Sequence, residues 1–361
     1  MQQKRQVIRE FRWNEIFPAL MLLRVFRSSV RIHALLLSLV ATILITQGWR
    51  LIAVVTLPTE LREVTASASS SPSNALAGLS FGDGLSIQSL VRPIFQEYER
   101  FAAPIRNLFT QQPTWGQRTY LLLGSAWTLL VGAFFAGVIC RTAAFDLASQ
   151  ERYGVFRAIR FVARRYRSFF TAPLIPLAVI TAMTLPILLL GFVGGYISSF
   201  LAALAWGLAI LWSIAMGLAA LVSLTSWPLI WPALASEDSD AFDALGASFG
   251  YSAQRPFSYI AYVLLAALVS GAGFLIFAAL LGLGRGLLLF GLTAGGGADV
   301  TAAFYGDASL TSRVVSFWEY FFTSLGDAYL FSAFWTSATA VFLLLRYDVD
   351  GAELDDIYND G

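Results

Sequence analysis

Carboxylates at close spacing are the residues of this sequence that could do chemistry. Glu237, Asp238, Asp240 and Asp243 offer several hard oxygen ligands of the kind a divalent cation takes. The same acids stand where a helix is expected to begin, at Ala241. There Ser239 or Asp240 would cap the first turn and the helix dipole favours negative charge. Capping accounts for the cluster without a ligand. The tail Asp348-Val-Asp350-Gly351 resembles part of a calcium loop, but placing Gly351 at position 6 puts Arg346 at position 1 and Ile357 at position 12, so the ligand pattern fails. A turn at Asp350-Gly351 is the simpler expectation. Glu319 and Asp327 are the acids at the edge of the last apolar run. An ionisable group inside a membrane is a functional candidate by default, and a proton or cation path through Asp327 would be its chemistry. Asp327 precedes Arg346 by nineteen residues, about 28 Å of helix, which places it at the outer interface within reach of water. With Tyr329 these two acids make the one polar grouping an intramembrane enzyme could use.

A second set of residues is basic. Val155, Ile159, Val162 and Tyr166 fall on one face of a helix, and Arg157, Arg160, Arg164 and Arg167 on the opposite one. An arginine stripe against an apolar stripe, directly before an apolar run, reads as an interfacial helix whose charge contacts lipid headgroups or a partner's acidic patch. His33 is the only histidine and Cys140 the only cysteine. That excludes a disulfide within the chain, a zinc site built on several such residues and most histidine-based acid–base catalysis. No phosphate-binding loop, nucleophile–base pair or metal-ligand set is visible, so neither a cofactor nor a metal is implied and the expectation is a non-enzyme.

The elements that would position these residues are dominated by one stretch. From Ser168 to Ser236 there is no Asp, Glu, Lys, Arg or His. A bilayer crossing takes about 20 apolar residues, so this run holds two membrane helices and the turn between them. Composition agrees: 57% of the 361 residues are hydrophobic, 13% are charged and mean hydropathy is +0.67. The fold class expected is an all-α polytopic transmembrane bundle of about six spans with amphipathic interfacial helices. A net charge of +1 gives no support for nucleic-acid binding.

Along the chain, residues 1–31 form a basic interfacial arm and residues 32–140 a first helix pair with a long polar connection over 56–118. Within that connection Leu90, Ile94, Phe95, Tyr98, Phe101, Ile105 and Phe109 recur at helical spacing. They predict an amphipathic helix against the outer surface or over the bundle. Gly132, Ala133, Ala136 and Gly137 give the second span small residues for close helix contact. Residues 141–236 comprise the arginine helix and a second pair, with a kink at Pro186 and a turn at Gly194 and Gly195. Trp227 and Trp231 close that pair at interface depth, and Trp318, Tyr320 and Trp335 fit interfacial belts too. Residues 237–346 repeat the order, interfacial helix then helix pair, with a Gly/Ala-rich loop over 285–313 whose apolar patch Leu287 to Leu292 could dip into the bilayer. Residues 347–361 are an acidic tail. The order recurs three times, a hint of pseudo-symmetry.

Lys and Arg divide as 16 on the side of both termini and 8 on the other, which puts the termini in the cytoplasm and satisfies an even number of spans. The first apolar run begins too late for a cleavable signal peptide and reads as a retained span.

Two stretches resemble an uncharacterised family of bacterial polytopic inner-membrane proteins. One is Cys140-Arg-Thr-Ala-Ala-Phe-Asp-Leu-Ala with Glu151-Arg152, Arg164-Arg165 and Ala172-Pro173-Leu174. The other is Trp227-Pro228 and Trp231-Pro232 with Glu237 to Asp243, Tyr251 and Gln254-Arg255-Pro256; the tail Leu344 to Gly351 fits as well. A weaker likeness is to the membrane portion of some bacterial glycerophosphodiester phosphodiesterases, without a catalytic domain. The resemblance implies a six-span fold in the inner membrane and no activity. The functional expectation is a non-enzymatic scaffold or complex subunit that meets membrane lipids, and a protein partner at the cytoplasmic face. The alternative is a transporter or permease for a lipid or other apolar solute.

Overall fold

The computed structural model describes residues 18–58, 87–110, 114–148, 153–237, 239–305, 310–352 and 357, and contains no strand among them. In chain order the helices are α1 (Arg24–Ser29), α2 (Ile32–Thr56), α3 (Ile87–Thr110), α4 (Trp115–Ala148), α5 (Val155–Arg164), α6 (Tyr166–Thr171), α7 (Leu174–Met183), α8 (Leu185–Phe192), α9 (Ser199–Leu204), α10 (Trp206–Ser226), α11 (Ile230–Ser236), α12 (Ala241–Gln254), α13 (Pro256–Tyr305) and α14 (Leu310–Asp350). Among the described residues six stretches are long and apolar enough to cross a membrane: Ile32–Thr56, Trp115–Ala148, Tyr166–Ile197, Trp206–Ser236, Pro256–Gly297 and Leu310–Asp350. The protein is a helical apolar bundle compatible with a multi-pass integral membrane protein.

Helix α14 is the axis. It packs against α2, α3, α4 and α13, and every residue of its apolar window is buried. Small residues allow that crowding. A Cβ on Gly132 would stand 2.9 Å from both Phe101 and Trp231, and one on Gly137 2.9 Å from Phe169. Ala133 and Ala136 beside them are fully buried, as the small-residue spacing predicts. Between membrane helices the gain comes from such close packing and from hydrogen bonds rather than from excluding water.

The third and fourth spans behave differently. The third breaks at Thr184, where Pro186 enters the first turn of α8, and it ends in a π-helical turn over Val193–Ile197. Ser198 is extended and its hydroxyl caps α9 by accepting from the Leu201 amide at 3.4 Å. Of their apolar windows these two spans bury 6% and 0%, against a third or more for each of the others. The second half of α13 and the first turns of α14 are likewise exposed.

Three expectations change. Residues 285–305 are helix rather than loop, continuing α13, with a break at Gly297 whose φ of 70° suits only glycine. The patch Leu287 to Leu292 therefore lies on an exposed helix. The described end of the N-terminal arm does not lie on a surface. Met21, Leu22 and Val25 are buried against α13 and α14, and Ser332 donates to the Ser29 carbonyl at 3.0 Å. Trp231 and Trp335 are core residues rather than interfacial ones, 1% and 0% exposed, with ring centroids 4.5 Å apart.

Candidate functional site

Helix α3 is amphipathic in sequence and lies across the bundle, touching α4, α13 and α14. A proline on another helix gives it an anchor. Pro228 has no N–H, so the Leu224 carbonyl one turn earlier loses its helical donor; the Tyr98 hydroxyl of α3 donates to it at 2.8 Å. Pro173 likewise frees the Phe169 carbonyl, and the Trp231 indole donates to it at 2.8 Å. Tyr259 donates to the neighbouring Thr225 carbonyl. Phe101 completes the joint, its ring meeting Trp227, Trp231, Phe331 and Trp335 at centroid distances of 5.4–6.4 Å. An apolar groove of about 380 Å³ opens beside the joint, walled by Ile94, Phe95, Tyr98, Leu224, Tyr259 and Phe334 among others.

The apolar stripe of α3 carries an acid. Glu97 falls between Ile94 and Phe101 at helical spacing and is 2% exposed. Arg100 pairs with it at 3.0 Å. One turn along α14 from Phe331, which meets Phe101, stands Asp327, also 2% exposed and within electrostatic range of both Glu97 and Arg100. Asp327 Oδ2 has no hydrogen-bond partner among the described residues. Burial, partly opposed by Arg100 and reinforced by Asp327, pushes the Glu97 carboxyl up to about 7. A second cavity, about 110 Å³, reaches Arg100 past Ser125 and Thr128.

This corrects the expected position of Asp327. Arg50 rests over the Tyr320 ring at 5.5 Å and Arg285 pairs with Glu319 at 3.3 Å, so the polar end of the bundle is marked by those residues. Asp327 lies seven residues further along α14, about 10 Å deeper. The protein, not water, surrounds it. Glu319 and Asp327 therefore do not form one site, and Tyr329 turns away to donate to the Ser270 carbonyl at 3.1 Å.

The opposite end of the bundle gathers the other buried charges. Arg141 is fully buried, its guanidinium 3.9 Å from the Phe161 ring centre and close over Phe145 and Tyr153, and it donates to the Ala235 carbonyl at 2.7 Å. Ala235 is in the last turn of α11, where free carbonyls and the dipole favour a cation. Arg31 pairs with buried Asp146, and Arg346 with Glu237 at 3.2 Å. Tyr251 donates to Asp350, and Tyr262 to Asp348 at 2.8 Å. The tail acids are thus hydrogen-bond acceptors beside a turn in which Gly351 has φ of 64°. Asp240 caps α12, its Oδ1 accepting from the Phe242 and Asp243 amides at 2.8 and 2.9 Å. Asp238 lies outside the described residues.

Arg157, Arg160, Arg164 and Arg167 are all exposed on α5 and α6, while Ala158, Phe161, Val162 and Phe169 are buried. Glu97, Arg100, Arg141 and Asp146 were missed in the sequence reading. The signal for Glu97 was present, as an acid on an apolar stripe. Arg141 and Asp146 gave none, because they continue the polar end of an apolar helix. Compared with known proteins, the chain matches no family model, no curated protein and no solved structure.

Proposed function

We propose that the protein is a non-enzymatic subunit or scaffold of a membrane complex, with the third and fourth spans as its docking arm for a partner's membrane helices. The contrast between two sets of glycines carries this reading. In the core a Cβ added at Gly48, Gly124, Gly132, Gly137, Gly271 or Gly273 would come within 3 Å of a neighbour, the Leu90 backbone at Gly271 and an aromatic side chain at the others. On the arm, Gly191, Gly195, Gly207 and Gly217 meet nothing within 4 Å among the described residues, and the exposed half of α13 extends this open surface with Gly282, Gly284, Gly286 and Gly291. Glycine inside a helix costs about 1 kcal/mol relative to alanine, and lipid chains give nothing back for it. A neighbouring helix does, by approaching where a side chain is missing.

Both termini and the exposed arginines of α5 and α6 belong to the cytoplasmic side in this reading. The excess of Lys and Arg there and the resemblance to bacterial inner-membrane proteins support it. The test is purification from native membranes in nanodiscs, comparing wild type with Gly207→Leu and Gly217→Leu. These changes enter open space and leave the fold intact. A stoichiometric membrane partner or second copy that is lost from the variants establishes the arm as the interface. Recovery of a single chain with lipid alone, from both proteins, overturns it.

The alternative, a carrier for a lipid or apolar solute, is favoured by the 380 Å³ groove, within the roughly 300–1,000 Å³ range of small-molecule sites. Strong enrichment of one lipid class, with stability that depends on it, would favour this alternative.

A further inference from the structure

Two buried carboxylates face one arginine across the contact between α3 and α14. Arg100 hydrogen-bonds to Glu97 and also acts on Asp327, so one positive charge serves two carboxylates and Asp327 Oδ2 has no hydrogen bond among the described residues. A carboxylate in a protein interior is costly unless it is paired and hydrogen-bonded. Its orphaned oxygen, Oδ2, is turned to where no described residue donates. The groups around it can be named helix by helix. Arg100 and Glu97 come from α3; α1, packed on α14 through Phe26 and Ser29, carries Arg24 and Arg27, neither of which acts on Asp327. From α2, Arg50 is engaged with Tyr320. From α13, Arg285 is engaged with Glu319. From α4, residues 124–136 include no ionisable side chain. Among the described residues Arg100 is the one cation that acts on Asp327.

We propose that Asp327, with Glu97 and Arg100, forms a binding site for a single exchangeable positive charge, either a proton or a monovalent metal ion. Occupancy couples the two helices. With the charge bound, α3 sits on α14 as a neutral cluster; without it, Asp327 and Glu97 repel and α3 is loosened. The site stands independently of whether the third and fourth spans have a partner.

The experiment is a melting titration of the full chain in nanodiscs of uncharged lipid. The first arm runs from about pH 5 to about pH 9 in choline chloride, across the range where a buried carboxyl gives up its proton. The second replaces choline by sodium or potassium at the alkaline end, at constant ionic strength. The expected result is a midpoint that falls as pH rises. Restoration by sodium or potassium identifies a metal ion, and its absence identifies the proton. Asp327→Asn removes the response, and Glu97→Gln, which keeps Asp327 but removes the repulsion, reduces it. Glu319→Gln, on the half-buried pair with Arg285, leaves it unchanged. A wild-type midpoint indifferent to both titrations overturns the proposal, as does a wild-type response that persists in Glu97→Gln and, where it folds, in Asp327→Asn.

Discussion

Exchanging Gly271 for alanine tests whether α3 is held as the structure shows. The new Cβ would stand 1.8 Å from the Leu90 carbonyl oxygen of α3, whereas ordinary contact begins at 3.4 Å. One helix must retreat by about 1.6 Å from the other. Backbone cannot rotate aside as a flexible side chain can. Overpacking of this kind costs about 1–3 kcal/mol. The retreat also parts the Tyr98 hydroxyl from the Leu224 carbonyl, now at 2.8 Å, at a cost of about 1–3 kcal/mol for a buried acceptor left unmet. Against this, alanine gains about 1 kcal/mol over glycine in a helix. The net is a loss of roughly 1–5 kcal/mol from these terms together. In the chain purified without a partner, Gly207→Ala has the same chemistry with no neighbour within 4 Å, so there it keeps only the gain. Thermal unfolding of both variants in nanodiscs, with amide exchange read over residues 90–104, gives the comparison. If Gly271→Ala unfolds with Gly207→Ala or above it, and the α3 amides are equally protected, the packing of α3 described here is wrong.

Tyr98→Phe keeps the ring and removes only the donor to Leu224, and should lower stability by about 1–3 kcal/mol in the same unfolding assay. In a Pro228→Ala background the helix supplies its own donor, and the loss should shrink. Arg141→Met removes a buried cation from three aromatic rings and from the Ala235 carbonyl, a loss of roughly 3–5 kcal/mol by summing a desolvated cation–π contact and a charged hydrogen bond. Arg157→Gln, on the exposed face of α5, should leave the unfolding midpoint where it is. The triple change of Arg157, Arg160 and Arg164 to Gln should release any partner or anionic vesicle held at that face; retention measured by flotation would refute a role for the stripe.

The run from Ser168 to Ser236 and its smaller counterparts were sufficient to determine that the protein is a bundle of six apolar helices, because spanning length and hydrophobicity are properties of local sequence. Helical periodicity likewise located α3 and α5, and residue type narrowed the cap of α12 to Ser239 or Asp240, of which Asp240 caps, since caps and faces depend on residues a turn apart. What each apolar residue faces was not local. Lipid and protein interior are equally apolar, so Trp335 in the core and Trp318 on the exposed part of α14 look alike in sequence. The prolines at 173 and 228 each remove an amide donor, which is evident from sequence, yet only the assembled fold showed which side chains, Trp231 and Tyr98, supply the missing donors. Asp327 depended on tertiary structure most. Counting along one helix put it at an interface; the arrival of α3, about 230 residues earlier in the chain, made it a buried charge.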